Sequence, residues 1–126
     1  MFIGDDTGTT PGCIGPNTED SERFVYLGFY KAGGGSSGAM DLVARASSDT
    51  SVTFTTVATG LSLQRWYTIG VVCDLAQGTY EVYLDGPLQG TLKARTPKSS
   101  VTYISFGQWS QEEGTATFYV DNVKAE

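Results

Sequence analysis

Apolar residues alternate along this chain, and nowhere do they recur at spacings of three and four over two helical turns. Glycine interrupts every stretch that could otherwise be read as a helix. What remains is a series of strand-length runs bounded by turn residues. "RFVYLGFYK" (23–31) sets Phe24, Tyr26, Gly28 and Tyr30 on one face and Val25, Leu27 and Phe29 on the other. Both faces are apolar, which requires cover on both sides, as in a sandwich. "AMDLVARAS" and the β-branched "SVTFTTVA" read as two further strands.

The run "WYTIGVVCDLAQGTYEVYLDG" (66–86) reads as two strands around the turn "DLAQG". Tyr67, Ile69, Val71 and Cys73 share a face of the first strand; Tyr80, Val82 and Leu84 share a face of the second. Trp66 and Tyr80 are read as core. "GTLKAR" is a short edge strand guarded by Lys93 and Arg95. "VTYISFGQW" and "TATFYVDNVKA" make the last two strands, joined by a loop carrying "SQEEG". At the start, "MFI" is a short strand in an otherwise loop-rich segment, 1–22. The expected fold class is all-β, an antiparallel sandwich or barrel, in a single domain over 1–126.

Charge narrows the partners. The chain has 8 basic against 14 acidic residues, a net charge of −6, and no basic stripe, so a nucleic-acid partner is not expected. No run is long and apolar enough to span a bilayer. The pattern of a secretory leader does not follow Met1, and the expectation is a start at an internal boundary of a larger protein.

With these strands in hand, "RWYTIGVVCDLAQGTYEVYLDG" and "YISFGQWSQEEGTATFYVDNVKAE" resemble the concanavalin A-like jelly roll, in its laminin-G-like and polysaccharide-binding branch. The residues that carry the resemblance are Trp66, Val71, Asp74, Gly78, Tyr80, Tyr83, Asp85 and Gly86, then Tyr119, Asp121, Asn122 and Val123. They cover the C-terminal half of the chain. The resemblance implies an antiparallel two-sheet β-sandwich of jelly-roll form with one concave sheet. The chain is short for that fold, and the shortfall lies before Phe24. Either the sheet is reduced, truncated at its N-terminal end, or a neighbouring domain or subunit supplies the missing strand.

Chemistry is restricted by what the composition lacks. There is no His, which removes Ser-His-Asp and Cys-His nucleophiles and His-based zinc sites. Glycoside hydrolysis needs two facing carboxylates. The candidate acids are Asp5, Asp6, Asp41, Glu81, Glu112 and Glu113. Neighbouring acids on one strand point to opposite faces, so Asp5/Asp6 and Glu112/Glu113 make poor pairs. The Glu-x-Asp-x-x-Glu strand of this fold's hydrolases does not occur. "FYKAGGG" is similar to an element of alginate lyases on this fold, but their Gln-x-His and Arg-rich strands are missing. A catalytic role is not expected.

Sugars are held by aromatic faces and planar polar side chains. Trp109, at the start of "QWSQEEG", is the first candidate platform, with Gln108, Gln111 and Glu112 as polar partners. Tyr26, Tyr30 and Tyr103 are placed on one sheet face beside it; packing is the competing role for all of them. Asp5 and Asp6 in "GDDTG" offer oxygens to a structural calcium ion, and the resemblance adds Asp121; solvated carboxylates and a turn cap are the alternatives. Cys13 and Cys73 are candidates for one disulfide, the alternative being a buried free thiol at Cys73 and an incidental one at Cys13. The expected function is a carbohydrate-binding, lectin-like module of a larger secreted, polysaccharide-active protein, located outside the cell or at its surface. The alternative is a structural or adhesive module of an extracellular assembly, and a degenerate glycosidase ranks third.

Overall fold

The computed structural model describes residues 1–5, 23–31, 39–47, 49, 54–107 and 117–126. Among them there is no helix. Eight strands follow in order: β1 (Phe2–Gly4), β2 (Arg23–Lys31), β3 (Ala39–Ala44), β4 (Thr55–Ser62), β5 (Ile69–Asp74), β6 (Thr79–Leu84), β7 (Leu88–Lys93) and β8 (Tyr103–Ser105). They form two antiparallel sheets, one of five strands in the order β4-β3-β2-β1-β8 and one of three in the order β5-β6-β7.

The alternation seen in the sequence becomes the core. On β6, Tyr80, Val82 and Leu84 are buried while Glu81 and Tyr83 turn outward. From the larger sheet, Phe24, Val25 and Leu27 of β2 and Leu42 and Ala44 of β3 join the same apolar cluster. The Phe24 and Tyr80 rings lie 6.3 Å apart across the two sheets. Each large apolar side chain so buried stabilises the fold by roughly 1.5–3 kcal/mol.

One irregularity in β2 changes the expected faces. Ile3 pairs with Val25 but Gly4 pairs with Arg23, so Phe24 is an extra, bulged residue. The bulge lets Phe24 enter the core together with Val25, instead of sharing the face of Tyr26 and Tyr30. It also swings Arg23 onto the Tyr26 side, where its guanidinium covers the Phe2 ring at 4.4 Å and the Tyr26 ring at 5.1 Å.

The turns follow local chemistry. Tyr83 pairs with Leu88, leaving Asp85-Gly86 as the two-residue turn between β6 and β7. Both have positive φ, 53° and 111°, as the favoured hairpin turn with Asp-Gly requires. Asp85 also anchors the approach to β5: its carboxylate accepts the Thr68 N–H at 2.9 Å and pairs with Arg65 at 2.9 Å. In the β5–β6 turn, the Asp74 carboxylate accepts the Gln77 N–H at 2.9 Å.

Three expectations are corrected. β7 is an edge strand as expected, but Arg95 does not guard it. Arg95 donates to the carbonyls of Ala46 (3.0 Å) and Asp49 (2.7 Å), and its own N–H donates to Phe24 O, tying the chain after β7 to the larger sheet. "TATFYVDNVKA" does not form the last strand: residues 117–126 carry no regular structure and every one is exposed. Trp66 is not core. It precedes β5, stands clear of the sheet with 66% of its surface exposed, and has the Tyr119 ring beside it at 6.4 Å.

Candidate functional site

Strand register brings the aromatic candidates of the larger sheet to its outer face. Phe2 pairs with Tyr26, Gly4 with Tyr103, and Tyr30 with Asp41. Because side chains alternate, Tyr103, Phe2, Tyr26, Tyr30, Asp41 and Arg45 share the side turned away from the core. Tyr26, Tyr30 and Tyr103 are therefore on one sheet face, as the sequence suggested.

The rings form a continuous row. Phe2 meets Tyr26 edge-on at 4.8 Å, Tyr26 lies 6.3 Å from Phe54, and Phe54 stacks on Tyr30 at 5.6 Å with 30° between planes. Two guanidiniums are inserted along it. Besides Arg23, Arg45 lies 5.0 Å from the centre of Tyr26 and 4.5 Å from that of Phe54. Such cation–π contacts contribute about 0.5–2 kcal/mol each, rising as the cation is desolvated. The row is buried at the Arg23 end, 4% exposed, and open at Tyr30, 56% exposed. Phe54 backs one face of the Tyr30 ring, so the open end presents an aromatic plane beside Asp41. The Asp41 carboxylate accepts the Gly60 N–H at 3.1 Å, which fixes it.

Phe54, Arg23, Arg45 and Phe2 were not singled out from the sequence. Phe54 sits at the entry to β4, and its ring reaches Tyr30 because β3 lies between β4 and β2 in the sheet. No local signal states that order. The period-two spacing of Asp41, Val43 and Arg45 was the one available hint.

The acids fall apart as a pair. Asp41 is on the outer face of the larger sheet, and Glu81 is on the outer face of the smaller one, with the core between them. Glu81 accepts a 2.5 Å hydrogen bond from the Tyr83 hydroxyl, which pushes the Tyr83 phenol above its ordinary pKa. Asp5 is buried and paired with Lys98 at 2.9 Å. Asp121 is exposed and accepts its neighbour Asn122's N–H at 2.8 Å. Among the described residues no three of Asp, Glu or Cys gather as a metal-binding group. Cys73 is a half-buried free thiol, and burial raises its pKa. Gln108, Trp109, Gln111, Glu112, Glu113, Asp6 and Cys13 lie outside the described residues.

Two antiparallel sheets sharing one core define an all-β, sandwich-like protein. Comparison with protein-family models, with curated proteins and with solved structures finds no match for the chain.

Proposed function

We propose that this chain is a carbohydrate-binding module without catalytic activity, of the concanavalin A-like jelly-roll kind, working outside the cell as part of a larger polysaccharide-active protein. The observation that carries this reading is the Tyr26–Phe54–Tyr30 row, packed against Arg45 at one end and open at the other. A pyranose offers an apolar C–H face to such a plane, and its hydroxyls find planar polar groups at the rim. Asp41 supplies such a group beside Tyr30, and Arg45 another beside Tyr26 and Phe54. Tyr103 and, a few residues beyond β8 in sequence, Gln108, Trp109, Gln111 and Glu112 are the further contacts of this reading. The absence of His and the separation of Asp41 from Glu81 support binding over bond cleavage.

The test is retention on insoluble glycans and on a glycan array. Tyr30→Ala and Trp109→Ala are each expected to abolish retention while leaving the melting temperature within a few degrees of the parent. A parent protein that binds no glycan on the array would overturn the reading.

An adhesive role in an extracellular assembly is the second reading. It is favoured by a specific feature, the exposed apolar run Phe118–Val120.

A further inference from the structure

The two sheets do not match in width. The smaller has three strands against five, and β4 lies against β7 on one side. Phe29 of β2 meets Tyr67, just before β5, with ring centres 6.2 Å apart. β5 therefore sits over β2, and among the described residues no strand faces the inner sides of β1 and β8. Burial records the gap. On β6 the inward residues are 0–8% exposed, whereas Ile69, Val71 and Cys73 of β5 are half-buried. Ile104, inward on β8, is 38% exposed, and Phe106 after it is 40% exposed. Among the described residues, one edge of β5 also has no strand partner for its backbone N–H and C=O groups. Such an edge is a template for another strand.

A strand of the right kind lies close by and is not in use. Thr117–Val123 has no strand partner among the described residues and exposes Phe118 (48%), Tyr119 (76%), Val120 (44%) and Val123 (50%). Phe118 and Val120 alternate with Tyr119 and Asp121, the pattern of a strand with one apolar face. Tyr119 beside Trp66 places the segment near the start of β5. Acceptor and donor are both present on one chain, yet they are not paired within it. Among the described residues neither finds a strand partner, and an exchange between two copies would satisfy both at once.

We propose that a second copy of this chain supplies that partner: Thr117–Val123 of each copy pairs along β5 of the other, as the fourth strand of the smaller sheet. The exchange is two-fold and self-complementary, because donor and acceptor recur on both copies. Phe118 and Val120 then lie over the inner faces of β1 and β8, covering Ile104, and the half-buried side of β5 becomes interior. This dimer does not depend on the glycan reading, since Tyr30 and Phe54 lie on the opposite face of the larger sheet.

The experiment uses the whole chain in sedimentation velocity from about 1 µM to about 1 mM, where mass action separates monomer from dimer. The parent is expected to dimerise with rising concentration. Val120→Pro removes a donor N–H in the middle of the exchanged segment and fixes its φ at about −65°, away from the extended value of a paired strand, so it is expected to weaken the dimer at least about tenfold. Its melting temperature at a concentration where the parent is monomeric should be unchanged, because the segment is exposed there. Alkylation of Cys73, followed by peptide mapping, should slow as the parent dimerises and stay constant in Val120→Pro. A parent that is monomeric throughout overturns the proposal. So does a Val120→Pro dimer as tight as the parent's, or a Val120→Pro monomer that melts earlier, which would put the pairing within one chain.

Discussion

Tyr30 stacks on Phe54 with ring centres 5.6 Å apart, although 24 positions separate them in the chain and a whole strand separates them in the sheet. Phe54 in turn is held from its other side by Arg45. This makes the two rings unequal in what their loss would do. Tyr30→Ala removes the exposed end of the row and should cost less than about 1 kcal/mol of stability while abolishing glycan retention. Phe54→Ala removes the support and should cost about 2–3 kcal/mol, because its ring contacts Tyr26, Tyr30 and Arg45 at once. Thermal melts and glycan retention on both variants check this; equal destabilisation would mean that Tyr30 is a packing residue.

Lys98 and Asp5 form an ion pair with side chains only 12% and 10% exposed. Removing one partner of a buried pair strands the other charge. Lys98→Ala should therefore destabilise by about 3 kcal/mol, read by urea denaturation, whereas an exposed pair would lose less than about 1 kcal/mol. The double variant Asp5→Asn with Lys98→Ala should recover part of the loss. No recovery would show that the cost comes from packing of the lysine stem.

Gly86 has φ of 111°, and a Cβ built there would meet nothing within 4 Å. The cost of Gly86→Ala is thus confined to the backbone. A loss of roughly 1–2 kcal/mol is expected from forcing an L-residue with a side chain into positive φ. The m-value should stay unchanged, since the surface exposed on unfolding is the same. A neutral substitution would show that the hairpin relaxes to another turn.

Tyr80 is wholly buried, and among the described residues its hydroxyl has no hydrogen-bond partner, although the Tyr26 backbone lies near enough to favour its ionised form. Burial pushes this phenol far above its ordinary pKa. Deleting an unsatisfied polar atom removes a desolvation cost of about 1–3 kcal/mol. Tyr80→Phe should leave stability unchanged or raise it by up to about 1 kcal/mol, within that range. A loss of 1 kcal/mol or more by denaturant titration would reveal a hydrogen bond to the hydroxyl, to Tyr26 or to water.

Strand identity was legible where two constraints coincide, alternation and a turn residue at each end. The 66–86 hairpin meets both: β6 and the turn before it stand as expected, and β5 begins at Ile69, three residues after the start read from the sequence. Alternation alone was insufficient. "TATFYVDNVKA" alternates, but a strand exists only where a second backbone satisfies its N–H and C=O groups, and none of the described residues does so. Trp66 shows the same limit for burial: it neighbours a strand whose inner face is apolar, yet its own position falls beyond the edge of the sheet.

The sequence by itself determined that the chain is all-β, which runs hold most of the strands, and that β6 buries Tyr80, Val82 and Leu84, because these follow from φ/ψ preference and period-two spacing within a few residues, whereas the bounds shifted, β4 lying at Thr55–Ser62 and not at 51–58. Tertiary structure alone decided the strand order, the bulge at Phe24 and hence the side on which Arg23 emerges. It also decided the meeting of Phe54 with Tyr30 and the place of β5 at the edge of the smaller sheet. Each of these depends on pairing between segments far apart in the chain, where local spacing is the same whichever neighbour a strand finds.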